Sequence, residues 1–251
     1  SAEGHRRAMA YCKPGVHEYE LEAELLYAFT RNGSRAPAYS SIVASGDNAC
    51  ILHYNTNNAE VKEGDLILID AGCEYEHYAS DITRTFPATG KFTPEQKAIY
   101  EIVLKAQEAA IEAVRPGAQW DAPHHASVKV ITQGLVKLGL LKGRPAQLLK
   151  SEAYKDFYMH RVGHWIGMDV HDVGDYKIDD TWRELEPGMV TTIEPGIYIA
   201  PDNTKVAKKW RGIGVRIEDD VLVTKAGYRI LSKGIPKTVE EIETFMAESA
   251  A

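Results

Sequence analysis

Between positions 18 and 31, apolar residues recur at helical spacing (Leu21, Leu25, Ala28, Phe29), which predicts an amphipathic helix. Residues 66–72 and 79–86 read as two strands joined by a polar connection around Glu74 to His77. Thr93-Pro94-Glu95-Gln96 is a capping box with proline at the first helical position, so a helix starts there and runs to about Val114. Arg115-Pro116-Gly117 stops it, and a second helix is expected over roughly 121–138. Strands return at 189–194, 196–200 and 213–224, and a last capping box, Thr238 to Glu241, opens a C-terminal helix. No Ser/Gly linker or low-complexity run divides the chain, which reads as one unit over 1–251.

The second round of elements echoes the first. Lys13-Pro14-Gly15 and Arg115-Pro116-Gly117 each precede a helix, and GDLILIDAG (64–72) aligns without gaps on GMVTTIEPG (188–196). Asp70 and Glu194 then occupy equivalent positions, and Asp81-Ile82-Thr83 is expected to correspond to Glu218-Asp219-Asp220 in role. An internal duplication follows, with any shared site on its pseudo-twofold axis.

Acidic residues stand where apolar runs end: Asp70 closes LILID, Asp81 opens DITRTF, Glu194 closes VTTIE and Glu218 lies in GVRIEDDVLV. A carboxylate at the end of a buried strand is costly unless something positive satisfies it. Strand parity puts Arg216, Glu218 and Asp220 on one face, Glu194 with Tyr198 on another, and Asp81, Thr83 and Thr85 in a polar row. His164, in MHRVGHWIGMDVHD, adds a nitrogen donor, and Gly163 and Gly167 argue against a helix there. Taken one by one, such acids are ordinary turn or surface residues; together they describe a cavity that cations must neutralise. Oxygen-rich ligation with one imidazole and no thiolate favours Mn2+, with Co2+ or Zn2+ as substitutes.

The formal net charge of −7, without a basic block, argues against nucleic acid, and no apolar stretch reaches the length of a membrane span. Cys12, Cys50 and Cys73 are an odd count without CxxC spacing, which fits a reducing cytoplasm. Cys73 is expected as a buried thiol. His5, His17, His77, His124 and His125 are expected at the surface.

CILHY, LILIDAGCEYEHYASDITRTFPATGKF, MHRVGHWIGMDVHDVG, EPGMVTTIEPGIYIAPD and RGIGVRIEDDVLVT together resemble the catalytic domain of the bacterial Xaa-Pro aminopeptidase (aminopeptidase P) family. The resemblance implies an α+β pita-bread fold, two pseudo-symmetric halves with a curved antiparallel sheet and covering helices. It implies two Mn2+ ions on Asp70, Asp81, His164, Glu194 and Glu218, with Asp81 and Glu218 bridging. The activity implied is hydrolysis of an N-terminal Xaa-Pro bond by a hydroxide that bridges the metals. Peptides with proline at the second position are then the partners. By the same resemblance His53, His160 and His171 contact substrate or stabilise the oxyanion, and Glu194 shuttles the proton to the proline nitrogen. Arg216 orients groups in the site and Tyr198 is a further hydrogen-bond donor to it, while Trp165, Met159 and Ile166 are candidate walls. Full-length members carry an N-terminal domain ahead of this region. SAEGHRRAMAYC reads as the middle of a helix begun earlier, and oligomerisation is expected to be weakened without that domain. Proline dipeptidase, which shares fold and ligands, is the nearest alternative, and an inactive pita-bread binding module is the alternative of another class.

Overall fold

The helices form where their caps place them. In the computed structural model, which describes residues 1–249, the first half contains α1 (Ala2–Tyr11), α2 (Glu18–Arg31), β1 (Ala36–Pro37), β2 (Ile42–Ser45), β3 (Leu66–Asp70), β4 (Cys73–Glu74) and β5 (Thr83–Pro87). The second contains α3 (Pro94–Glu112), α4 (Ala122–Lys137), α5 (Pro145–Lys150), β6 (Lys177–Ile178), β7 (Thr181–Trp182), β8 (Val190–Ile193), β9 (Gly196–Ile199), β10 (Ile213–Arg216), β11 (Asp219–Thr224), β12 (Gly227–Ile230) and α6 (Val239–Ser249). At the start of α3, Thr93 Oγ1 accepts from the Gln96 amide at 3.2 Å while the Gln96 side chain accepts from the Thr93 amide at 3.0 Å. Thr238 and Glu241 repeat the arrangement ahead of α6. Such reciprocal caps satisfy donors that a helix start otherwise leaves unpaired.

Antiparallel sheets β2-β3-β5 and β12-β11-β8 form the backs of the two halves, and β9 pairs with β10 between them. The duplication read from the sequence extends to individual hydrogen bonds. Gly15 donates to the Val61 carbonyl at 2.8 Å, and Gly117 donates to Leu185 at 2.9 Å. Glu18 N bonds Ala59 O as Trp120 N bonds Arg183 O. Both loop glycines have left-handed φ, +93° and +77°, a conformation that costs a side chain energy and glycine none. One equivalence shifts, however. Asp70 faces Thr83 across β3–β5, and the register Ile193↔Asp219 carries on to bring Glu194 opposite Glu218. Thr83, not Asp81, is therefore the counterpart of Glu218.

Helices α1, α2 and α3 cover the sheets through one large core in which Leu21, Leu25, Ile67, Ile69, Ile99 and Val215 are completely buried. Each such side chain contributes roughly 1.5–3 kcal/mol. Two expected strands end differently. The run 213–224 is two strands broken at Ile217 and Glu218, because β10 pairs with β9 whereas β11 pairs with β8 and β12. The run 79–86 becomes a strand only at Thr83, since the Ala79 amide bonds Gly167 O and the Ser80 amide bonds Cys73 O. Cys73 is half-buried rather than buried, with Ser1 Oγ donating to its sulfur at 3.3 Å. His5 and His124 are buried, not exposed. His5 Nε2 lies 2.8 Å from the carbonyl oxygen of Ala71, so it braces the chain just beyond Asp70. Burial pushes both rings down to about 4, so they stay neutral.

Candidate metal centre

Every acid singled out lies at or just beyond an end of a strand. Asp70 is the last residue of β3, Asp81 precedes β5, Glu194 follows β8, and Glu218 occupies the gap between β10 and β11. His164 belongs to an irregular segment clamped onto β8. Its carbonyl accepts from the Thr192 amide at 3.0 Å and the Glu194 amide bonds Val162 O at 2.6 Å. A Cβ at Gly163 would collide with the Thr192 carbonyl, so only glycine lets this segment lie against the strand.

The five side chains share one cavity of about 630 Å³ with His53, His160, His171 and Arg216. Ligand atoms of Asp81, His164 and Glu218 all lie within 4.8 Å of one another. His164 Nε2 is 3.3 Å from Asp81 Oδ2 and 3.7 Å from Glu194 Oε1. Its Nδ1 donates to the Trp165 carbonyl at 2.9 Å, which fixes the ring and turns Nε2 towards the acids. The Tyr39 hydroxyl spans Asp70 Oδ1 at 2.6 Å and Asp81 Oδ1 at 2.5 Å. Having one proton, it satisfies one of the two. Glu218 Oε2 accepts from Thr83 at 2.6 Å, while Glu218 Oε1 is buried with no hydrogen-bond partner.

Burial, then the neighbouring carboxylates, holds Glu218 well above its usual carboxylate range and raises Asp70 as well. Burial pushes Glu194 up to about 8 against the charges of His164 and Arg216. Burial opposes protonation of His164, yet the bond to Asp81 and the charges of Glu194 and Asp81 outweigh it and push the ring up to about 9. A proton on His164 thus stands in for a cation. The orphaned Glu218 oxygen, the single Tyr39 proton set between two carboxylates and the four acids around one imidazole fit a divalent metal, in particular one that takes mostly oxygen ligands.

These shifts give the metal-free protein a definite pH dependence. A carboxyl whose folded pKa lies above its unfolded value destabilises the fold as pH rises through that interval, from about 4.5 to about 8 for Glu194. A raised histidine contributes stability that is complete below 6.5 and is lost as pH rises through about 9. Both effects have the same sign. In chelator, the Tm is expected to fall between pH 5.5 and 8.5, by on the order of 5 °C or more, and added Mn2+ to reverse the loss at the higher pH. A flat or rising metal-free Tm by scanning calorimetry would contradict this.

In the cavity wall, Arg216 donates to Asp70 Oδ2 at 2.7 Å and to the Tyr198 hydroxyl at 3.0 Å. Tyr198 in turn lies 2.9 Å from His160 Nε2, whose Nδ1 is 2.7 Å from the Arg161 carbonyl. Burial, reinforced by the charge of Arg216, pushes His160 down to about 3. It is a neutral ring that donates from Nδ1 and accepts from Tyr198. Tyr198 is thus buried between Arg216 and His160, one layer behind the residues that line the cavity. His171 packs edge-on against His164, centroids 4.2 Å apart, and His53 and His171 are exposed at the mouth. Trp165 and Ile166 are buried away from the opening and Met159 lines a neighbouring cavity; the walls are Leu52, Trp120, Tyr176 and Trp182 instead.

Tyr39 was not foreseen, because it lies in a loop before a four-residue strand and no periodicity marks it. Arg84 is a second case: it donates to the Thr83 and Glu218 carbonyls and pairs with buried Asp219 at 2.7 Å. Asp220 accepts from the Asp81 amide at 3.1 Å.

Two pseudo-symmetric halves with acids and a histidine converging at their junction are the architecture of a metal-dependent hydrolase. The chain belongs to metallopeptidase family M24, whose model matches residues 1–225. It is 51% identical over 246 residues to Xaa-Pro aminopeptidase of Escherichia coli, covering 98% of this chain and 55% of that protein. It is 41% identical over 280 residues to mouse Xaa-Pro dipeptidase, covering 98% and 57%. Its fold superposes on Pseudomonas aeruginosa aminopeptidase PepP with a TM-score of 0.99 and 65% identity, over 100% of this chain and 57% of that one. A solved E. coli aminopeptidase P, bound to the inhibitor Pro-Leu, gives a TM-score of 0.96 at 51% identity over 99% and 56%. The pita-bread fold expected from the resemblance is thus present. The chain spans about half the length of the curated relatives it matches.

Proposed function

We propose that this chain is the catalytic region of an Xaa-Pro aminopeptidase, releasing the first residue from peptides with proline at the second position. The observation that carries the reading is the convergence of Asp81, His164 and Glu218 beside Asp70 and Glu194 in one cavity, with a buried glutamate oxygen left unpartnered. Asp70, Asp81 and Glu218 would hold one Mn2+, and Asp81, His164, Glu194 and Glu218 the other. Bound there, the ions supply Lewis acidity and bring the pKa of a water near neutrality.

The protein's own groups do the rest. Glu194 sits between His164 and His160, where burial raises the proton affinity of its carboxylate, so as the carboxylate it can take a proton from the attacking water and pass it to the proline nitrogen. His160, its ring nitrogens taken by Arg161 and Tyr198, is a fixed neutral wall 3.7 Å from Glu194 Oε2. His53 and His171 at the mouth are free to donate to the scissile carbonyl oxygen as charge develops. Arg216 fixes Asp70 and, through Tyr198, His160. Proline has no amide N–H and a fixed φ, so a site recognising the ring by apolar walls, here Leu52 and Trp120, needs no backbone donor from the substrate.

The three free cysteines suit a reducing compartment such as the cytoplasm, and among the described residues no helix is long and apolar enough to cross a membrane. The test is turnover of Xaa-Pro-Yaa tripeptides beside Xaa-Pro dipeptides. Release of the first residue from tripeptides is expected; cleavage of dipeptides alone would transfer the assignment to the dipeptidase.

A further inference from the structure

We infer that Arg161, Lys177 and Trp182 form a carboxylate-recognising subsite at the rim of the metal cavity, taking the peptide downstream of the scissile bond. The inference rests on the peptidase reading above. Hairpin β6–β7 sets Lys177 directly opposite Trp182. Its two-residue turn, Asp179-Asp180, has φ of 48° and 62°, the left-handed pair that closes a tight hairpin. Lys177 Nζ lies 4.7 Å from the Trp182 ring centroid and the Arg161 guanidinium 5.0 Å from it. The indole is held from behind by Trp120, stacked at 5.6 Å, which in turn meets Tyr176 at 4.4 Å. Two cations are thereby fixed on one rigid surface.

Both cations are solvent-exposed, and among the described residues neither forms an ion pair. Asp175, Asp179 and Asp180 share the segment without coming within ion-pair reach. All three rim residues line the same cavity as Asp81, His164 and Glu218. The cavity therefore has an anionic floor and a cationic rim in a chain whose net charge is −7. A peptide is polarised the same way, with its ammonium at one end and its carboxylate at the other. Ammonium at the rim would meet two like charges; carboxylate there meets a planar guanidinium fork suited to it. Arg161 also follows His160, whose ring adjoins Glu194, the group assigned to the leaving nitrogen. The rim therefore lies on the leaving-group side.

The measurement is kcat/KM of the metal-loaded protein on four peptides: Ala-Pro-Ala as free acid, its C-terminal amide, Ala-Pro-Glu-amide and Ala-Pro-Lys-amide. The wild type is expected to prefer the free acid and the Glu amide over the neutral amide by about threefold to tenfold, through KM, and to disfavour the Lys amide. High salt should compress the ratios. In Arg161→Gln/Lys177→Gln the ratios should fall to near one. Preference for the free acid alone would assign the subsite to the chain terminus, and preference for both to any downstream carboxylate; either supports it. Ratios near one in the wild type, or wild-type ratios kept in the double variant, would overturn the subsite while turnover of the neutral amide upholds the peptidase reading. A wild type that cleaves none of the four overturns both.

Discussion

Asp81→Asn is expected to lose at least about a hundredfold in kcat, since even residues that only support a metal ligand cost 10–100-fold when removed. It should do so without weakening the fold. Asp81 contributes its charge to the raised pKa values of Asp70, Glu194, Glu218 and Asp220. Two carboxylates about 4 Å apart repel by roughly 4 kcal/mol at an effective dielectric of 20. Neutralising one at constant shape relieves several such contacts. In chelator, the variant should therefore melt above the wild type by about 2–4 °C or more, while with Mn2+ the order reverses because the wild type gains more from the metal. Calorimetry with and without metal, beside a turnover assay, reads both effects. Full activity would refute the ligand assignment; a lower metal-free Tm would mean that Asp81 is chiefly structural.

The second large effect belongs to Arg84. Its guanidinium is almost fully buried against Asp219 and donates 2.6 Å to the carbonyl of Glu218. Asp219 also accepts from Gln107, Ser232 and Lys237. Burial works against its ionisation, but the Arg84 and Lys237 charges prevail and hold it down to about 2. Stability from this group is complete above the unfolded value and is lost only as pH falls through about 2. Arg84→Met leaves the carboxylate with Lys237 as its one remaining positive charge and frees the strand break that places Glu218. Removing one partner of a buried pair costs about 3–5 kcal/mol, which for a chain of this size lowers Tm by roughly 10 °C or more. Mn2+ affinity should fall as well. Urea denaturation of the metal-loaded variant measures the loss, and a change under about 1 kcal/mol would show the network to be dispensable.

Much of this site could be read from the chain because the costly groups are local to visible signals. Asp70 and Glu194 end apolar runs between glycines, and the duplication also survives in the fold as paired loop hydrogen bonds after Lys13-Pro14-Gly15 and Arg115-Pro116-Gly117. What stayed hidden depends on partners distant in sequence. The alternation through GVRIEDDVLV is unbroken, so nothing in it marks the switch between sheets at Glu218. Arg84 and Asp219 look like a strand's outward charges, yet they are buried on each other 135 residues apart. His124 sits on α4 among Tyr154 and Tyr158 from a later segment, which a helix read alone does not reveal. The rim around Trp182 belongs to a stretch of short turns and two-residue strands, where periodicity carries no information.

The most direct measurement is a Mn2+ titration of the chelator-stripped protein, with bound metal and Xaa-Pro-Yaa hydrolysis read together. Two ions per chain are expected, with turnover tracking occupancy and vanishing in chelator. Hydrolysis that persists in chelator, or a chain that binds no metal, would contradict a metal-dependent peptidase built on Asp70, Asp81, His164, Glu194 and Glu218.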